Sequence, residues 1–140
     1  MKTSGWNFTD LSSDLLRRGH SIRFQTFGYS MQPKILHGDI VTIEPVVHPI
    51  SEREVVLYLT QGGRPVLHRI IESKVDSLGQ PSYLLRGDAH AAADGWLSAE
   101  RILGRMVAVQ RHGQMKRWLP FGRLLRLVRR VGRSLWGERK

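Results

Sequence analysis

Ser30 is the first residue whose setting suggests chemistry. It lies in the segment Gly28–Pro33 (GYSMQP), at the end of a run in which apolar and polar residues alternate. A strand that stops at a glycine presents the next hydroxyl at its end, and Pro33 stiffens the backbone beyond it. A serine in this setting is an ordinary turn residue unless the chain also supplies a base that can take its proton.

Four further segments with titratable or glycine-containing motifs follow Ser30. Gly38-Asp39 opens an apolar, β-branched run, and His68-Arg69 lies inside a later apolar run. Gly87-Asp88 opens a polar loop that also contains Asp94, and the series ends with the segment Ile102–Arg105 (ILGR).

This order of motifs resembles the superfamily of signal peptidases and repressor-cleaving peptidases, families S24 and S26 of the serine peptidases. The shared patterns are a serine box S-M-x-P, a following G-D-I-V strand, a base-bearing strand, a loop that begins with G-D and a final strand with L-G. Each motif is short, but together and in the same order they are specific. The resemblance covers roughly residues 22–110.

The resemblance implies a role for each titratable residue. Bacterial signal peptidases and repressor-type autoproteases carry a lysine as base, whereas the archaeal and endoplasmic-reticulum branch carries a histidine followed by arginine. The pair His68-Arg69 is closest to that Ser-His-Asp branch. Ser30 would then be the nucleophile and His68 the general base. Asp94 would orient the histidine, and Asp88 would hold the loop or share that role.

Residues beside Ser30 are expected to form the oxyanion hole and the substrate cleft, namely Gly28, Tyr29 and Met31. Gly28 stands where the histidine branch commonly has a serine, and Ala89 stands where an asparagine usually follows G-D. The oxyanion hole would therefore consist of backbone N–H groups, chiefly that of Ser30. No metal and no other cofactor is expected.

Hydropathy patterns predict a mainly β fold: a compact, signal-peptidase-like domain of short antiparallel strands and hairpins over residues 1–118. A short helix is predicted over residues 9–18, with Thr9 as its N-cap. Strands are predicted from β-branched or alternating runs over residues 22–27, 40–43, 55–59, 66–75, 83–85 and 102–109, with a return that ends near 118. Residues 87–98 are predicted to be a loop.

The positive charge of the chain is concentrated at its C-terminal end. Residues 111–140 hold 10 lysines and arginines against one glutamate, whereas residues 1–110 hold 12 against 11 acidic residues. Apolar residues at helical spacing predict a basic amphipathic helix over residues 119–140. Such a tail binds an anionic membrane surface, docks on a protein partner or packs on its own domain. Nucleic acid is disfavoured, because aromatic residues are not interleaved at base-stacking spacing.

The expected function is serine endopeptidase activity on an extended peptide or a preprotein leader, through an acyl-enzyme. The alternatives are a non-catalytic peptide-binding or delivery module on the same fold, and a self-cleaving regulator of the repressor type. The chain has no cysteine and no apolar run of about 18 residues. It is expected in the cytoplasm, peripheral on the inner face of the membrane.

Overall fold

The computed structural model describes residues 7–118 of the 140-residue chain. The predicted amphipathic helix over 119–140 lies outside the described residues. The fold is mainly β, as the sequence predicts, with eight strands in one antiparallel sheet and one α-helix. Within the described range, no helix is both long and apolar enough to cross a membrane.

The helix α1 spans Phe8–Arg17, one residue earlier than predicted. Its N-cap is Asn7, whose side chain accepts a 2.8 Å hydrogen bond from the backbone N–H of Asp10. The prediction of Thr9 as the cap was therefore wrong. Asparagine caps a helix at least as well as threonine, and the earlier start lets Phe8 pack edge-on against a phenylalanine of the first strand.

The strands follow the predicted segments, with one addition. They are β1 (Ile22–Gln25), β2 (Ile40–Glu44), β3 (Val55–Leu59), β4 (Pro65–Val75), β5 (Pro81–Arg86), β6 (Gly95–Ser98), β7 (Ile102–Arg111) and β8 (Gln114–Arg117). Strand β6 lies in the segment predicted to be a loop, and this part of the prediction was wrong. β6 is short and begins with glycine, so its pairing with β5 rather than its own pattern defines it.

The order of strands in the sheet is β1-β2-β7-β3-β4-β5-β6, and β8 pairs with β7. The β3–β4 hairpin places Val56 opposite His68. Strands β4 and β5 are antiparallel and pair Arg69 with Arg86. His68, one residue before Arg69, therefore lies beside Gly87, one residue after Arg86. The topology therefore sets the candidate base next to the loop that follows β5.

Two apolar clusters hold the sheet, one on each side of β3. Val55 and Leu57 belong to the first cluster, which also contains Met31. Val56 and Tyr58 belong to the second, together with buried residues of β4 and β5. Because side chains alternate along a strand, both faces of β3 are buried and the strand is a rigid base for the site.

Candidate active site

Ser30 and His68 line the same cleft, which has a volume of about 1050 Å³. The three residues expected beside the nucleophile also line it, namely Gly28, Tyr29 and Met31. Tyr29 is largely exposed and its ring stacks on His37, whereas the Met31 side chain is buried in the first apolar cluster. The cleft thus brings together the serine and histidine that the sequence places far apart.

The turn that carries Ser30 is held on both sides. The Ser30 carbonyl oxygen accepts a 2.9 Å hydrogen bond from the backbone N–H of Ala89. The Met31 Sδ atom accepts a 3.4 Å hydrogen bond from the backbone N–H of Asp88. Gly28 has a φ of 94°, a conformation that favours glycine, and its N–H donates to His37 Nδ1 at 2.9 Å.

His68 is a buried residue of β4, and Asp94 binds one of its two ring nitrogens. His68 Nδ1 contacts Asp94 Oδ2, and the Tyr58 hydroxyl donates a 3.0 Å hydrogen bond to the same oxygen. Burial and the nearby Asp94 carboxylate raise the pKa of Tyr58, so its hydroxyl keeps the proton that it donates. A carboxylate only accepts hydrogen bonds, so it favours the tautomer with the proton on Nδ1 and a lone pair on Nε2.

The Nε2 side of His68 faces the Ser30 turn across Gly87. A Cβ atom at Gly87 would lie 2.7 Å from the Ser30 carbonyl oxygen, 3.0 Å from His68 Nε2 and 3.1 Å from His90 Nδ1. Any side chain at this position would push these groups apart, which explains the glycine. In the described part of the chain, no hydrogen bond joins the Ser30 hydroxyl to His68.

The two candidate acids have different partners. Asp94 contacts His68, whereas both oxygens of Asp88 are bound by Arg69, at 2.8 and 2.7 Å. A third nitrogen of Arg69 donates to the Arg53 carbonyl oxygen at 2.7 Å. Of the two roles left open for Asp88, the geometry corresponds to holding the loop.

The backbone around Ser30 contains a free donor for an oxyanion. Neither the Ser30 nor the Met31 N–H donates a hydrogen bond to another described residue. The Gly28 N–H is engaged with His37, so Gly28 lines the cleft without contributing this donor. The geometry is compatible with a hole built around the Ser30 N–H, as expected from the sequence.

The sequence analysis did not predict the contacts that three further residues make around the site. Tyr58 binds Asp94, His37 binds the Gly28 N–H, and the His90 ring lies edge-on to His68 with centroids 5.4 Å apart. Tyr58 could have been found from the β3–β4 hairpin, because Gly62-Gly63 fixes a register that puts it close to His68. His37 and His90 lie in turns, where no periodic pattern predicts direction.

Among the described residues, no three histidine, aspartate or glutamate side chains are arranged to bind an ion. The site contains a serine, a histidine bound to a carboxylate and a backbone N–H that makes no hydrogen bond to another described residue. Comparison of the chain with models of known protein families and with curated protein sequences finds no match.

Proposed function

We propose that this protein is a serine peptidase in which Ser30 is the nucleophile, His68 the general base and Asp94 the residue that orients the base. The observation that carries the proposal is the arrangement of His68. Its Nδ1 is bound to a carboxylate, and its Nε2 faces the Ser30 turn in an open cleft. The resemblance to the Ser-His-Asp branch of signal peptidases supports the same assignment.

In the proposed reaction, the Ser30 oxygen attacks the carbonyl carbon of a peptide bond as its proton passes to His68 Nε2. The Ser30 N–H stabilises the negative charge that develops on the carbonyl oxygen. His68 then gives the proton to the leaving amine, and the C–N bond breaks to leave an acyl-enzyme. Water, deprotonated by His68, hydrolyses the ester and restores the serine.

The cleft supports an apolar, extended polypeptide as substrate. Phe24, Leu57 and Leu67 line it, and no aspartate or glutamate is among the described residues of its wall. The resemblance adds a more specific class, the leader segment of a preprotein. An extended chain in such a cleft is bound through its backbone and through alternate side chains.

The location of the protein is part of the proposal. In this proposal the protein works in the cytoplasm, and the arginines of residues 119–140 attach it to the anionic inner face of the membrane. Co-sedimentation with anionic and neutral vesicles tests this, with the full chain and with a chain that ends at 118. Equal sedimentation of the two chains with anionic vesicles would contradict the attachment.

A second candidate function is peptide binding without cleavage. The observation in its favour is that the Ser30 hydroxyl makes no hydrogen bond to His68 among the described residues. Proton transfer needs the two groups within about 3 Å of each other. A binding module would leave this gap open, whereas a peptidase closes it when substrate is bound.

A fluorophosphonate probe, which reacts with activated serines, separates the two functions. We expect labelling of the wild-type chain and of Ser77→Ala, a control at an exposed turn serine, but not of Ser30→Ala or His68→Ala. Labelling of Ser30→Ala would show that another residue reacts and would contradict the assignment. A wild-type chain that binds apolar peptides but is neither labelled nor cleaves a peptide library would be the binding module.

A further inference from the structure

A second groove, of about 1230 Å³, lies beside the cleft and has no part in the proposed reaction. The two hollows are bounded by the same segments of chain. Pro33 and Lys34, three and four residues after Ser30, line the groove. Asp88 also lines it, between the two residues that lie against the Ser30 carbonyl oxygen, Gly87 and Ala89. An occupant of the groove would therefore lie close to the candidate nucleophile.

The β7–β8 hairpin forms another wall of the groove. Val109 pairs with Lys116, and Arg111 pairs with Gln114, and all four residues line the groove. Among the described strands β8 pairs with β7 alone. Its outer edge therefore offers backbone N–H and C=O groups that an added strand can bind.

The charge of the groove is positive after its ion pairs are subtracted. Asp88 is already bound by Arg69, and the carboxylate nearest to Arg111 is Asp39, which binds it at 2.9 and 2.7 Å. The ammonium groups of Lys34 and Lys116 have no carboxylate partner among the described residues. These two lysines therefore leave the described part of the groove with unpaired positive charge.

We propose that this groove binds an acidic, extended segment of a polypeptide, which pairs with the β8 edge and directs carboxylates toward Lys34 and Lys116. An extended chain advances about 3.3 Å per residue, and every second side chain points to the same face. Acidic residues at alternate positions would therefore all face the groove. This site goes beyond the proposed peptidase reaction and does not depend on it.

The geometry favours a polypeptide over a lipid surface or a nucleic acid. The Trp118 ring lies under the Arg69 guanidinium, 5.3 Å from its carbon, so one of its faces is covered. That covered face is unavailable for stacking on a base, and the ring itself lines the groove. A strand edge binds the backbone of a peptide, and the lysines beside it bind the peptide's carboxylates. A lipid surface and a nucleic acid have no peptide backbone to pair with the strand edge.

Binding of a fluorescent twelve-residue peptide with glutamate at alternate positions tests the groove. The full chain carries Ser30→Ala so that no cleavage occurs, and fluorescence anisotropy is compared with a peptide in which glutamine replaces each glutamate. We expect the glutamate peptide to bind at least about tenfold more tightly, and its binding to weaken as salt is raised. We expect Lys34→Glu with Lys116→Glu to weaken it by about tenfold or more.

Lys74→Glu is the matched control, because Lys74 is an exposed lysine on β4 outside the groove. Two such charge reversals in the groove with unchanged binding would show that the tail alone holds the peptide, and would overturn the site. Hydrogen exchange of residues 114–117 should slow when the peptide binds, and unchanged exchange would overturn the strand pairing. Anionic vesicles or single-stranded DNA that bind through Lys34 and Lys116 more tightly than the peptide would also overturn the proposal. None of these readouts depends on labelling of Ser30.

Discussion

His68 and Arg69 are consecutive residues of β4, and each binds a carboxylate from the segment that follows β5. The two contacts differ in what they leave available. Their side chains point to opposite faces of the strand, His68 toward Asp94 and Arg69 toward Asp88. Arg69 uses three nitrogens, two for Asp88 and one for the Arg53 carbonyl oxygen. His68 uses Nδ1 for Asp94 and keeps Nε2 for the cleft. The same kind of contact thus engages all three nitrogens of Arg69 but leaves one nitrogen of His68 without a hydrogen bond to a described residue.

The Arg69–Asp88 pair also helps to hold the Ser30 turn, through backbone groups of the loop. Arg69 fixes Asp88, and the next residue, Ala89, donates its N–H to the Ser30 carbonyl oxygen. The Asp88 N–H also contacts Met31 Sδ, directly after the serine. The contrast therefore predicts that loss of Asp94 affects chemistry with little change in stability, whereas loss of Asp88 affects stability first.

The largest expected effect is that of Asp94→Asn on reactivity. An amide can donate to His68 Nδ1 and favour the tautomer with the proton on Nε2, which cannot take the proton of Ser30. We expect the rate of fluorophosphonate labelling to fall by about 10³-fold or more. Thermal unfolding should shift little, because Asp94 is partly exposed and the asparagine keeps its shape. Near-normal labelling would mean that the base needs no carboxylate.

Asp88→Asn and Arg69→Met should instead lower the free energy of unfolding. Both side chains are mostly buried, and removal of one partner leaves the other charge without its hydrogen bonds, at a cost of about 1.5–3 kcal/mol. Urea unfolding of both single variants and the double variant should give a coupling energy above about 1 kcal/mol. The labelling rate should fall much less than in Asp94→Asn. A stable Asp88→Asn chain that is no longer labelled would reverse the roles of the two acids.

The sequence predicted most of the sheet because its strands are marked locally. Residues 40–43 are β-branched throughout and Val55–Leu59 is apolar or aromatic throughout, and a polar residue follows each run. Strand β6 was missed because it contains only four residues and begins with Gly95, so pairing with β5 decides its conformation. The cap at Asn7 was missed because two good capping residues lie two positions apart.

The site was predictable in its members but less so in its contacts. The order of motifs suggested Ser30, His68 and the two acids as candidates, and the spacing in the branch that the sequence resembles favoured Asp94 over Asp88. Sequence could not give the place of Tyr58, because it depends on which strands pair and in which register. The close approach across Gly87 also needs coordinates, since it joins residues from three distant segments.

A third carboxylate, Asp39, is expected to affect stability, as Asp88 does, and not reactivity. Hydrogen bonds from Arg111 are the main reason that the pKa of Asp39 lies below its ordinary value of 3.8. The stability that this carboxylate adds is complete above that value, and is lost as pH falls through the lowered pKa of the folded state. We expect Asp39→Asn to lower the Tm by a few degrees at neutral pH. The difference from wild type should shrink in acid, while labelling at neutral pH stays close to normal; a difference independent of pH would contradict the ionic origin.

Tyr58→Phe should slow fluorophosphonate labelling, but much less than Asp94→Asn does. It removes the hydrogen bond of the hydroxyl to Asp94 and its 3.5 Å contact with His68 Nδ1, but leaves the contact between Asp94 and His68. We therefore expect labelling to slow by about three- to tenfold. The pH dependence gives an independent check. Burial, followed by the Asp94 carboxylate, raises the pKa of Tyr58, so above the ordinary value of 10.0 the unfolded chain loses this proton while the folded chain keeps it.

Wild-type stability should therefore decline as pH rises above about 10, and Tyr58→Phe should lack this contribution to the decline. Denaturant unfolding of both chains at pH 8 and at alkaline pH measures the difference. Tyr29→Phe is the matched control, because it removes a phenol that is 64% exposed and makes no hydrogen bond to Asp94. If Tyr58→Phe slowed labelling as much as Asp94→Asn, the tyrosine and not the carboxylate would be orienting His68. A slowing of only a few-fold would leave Asp94 as the residue that separates the reactive face of β4 from the structural one.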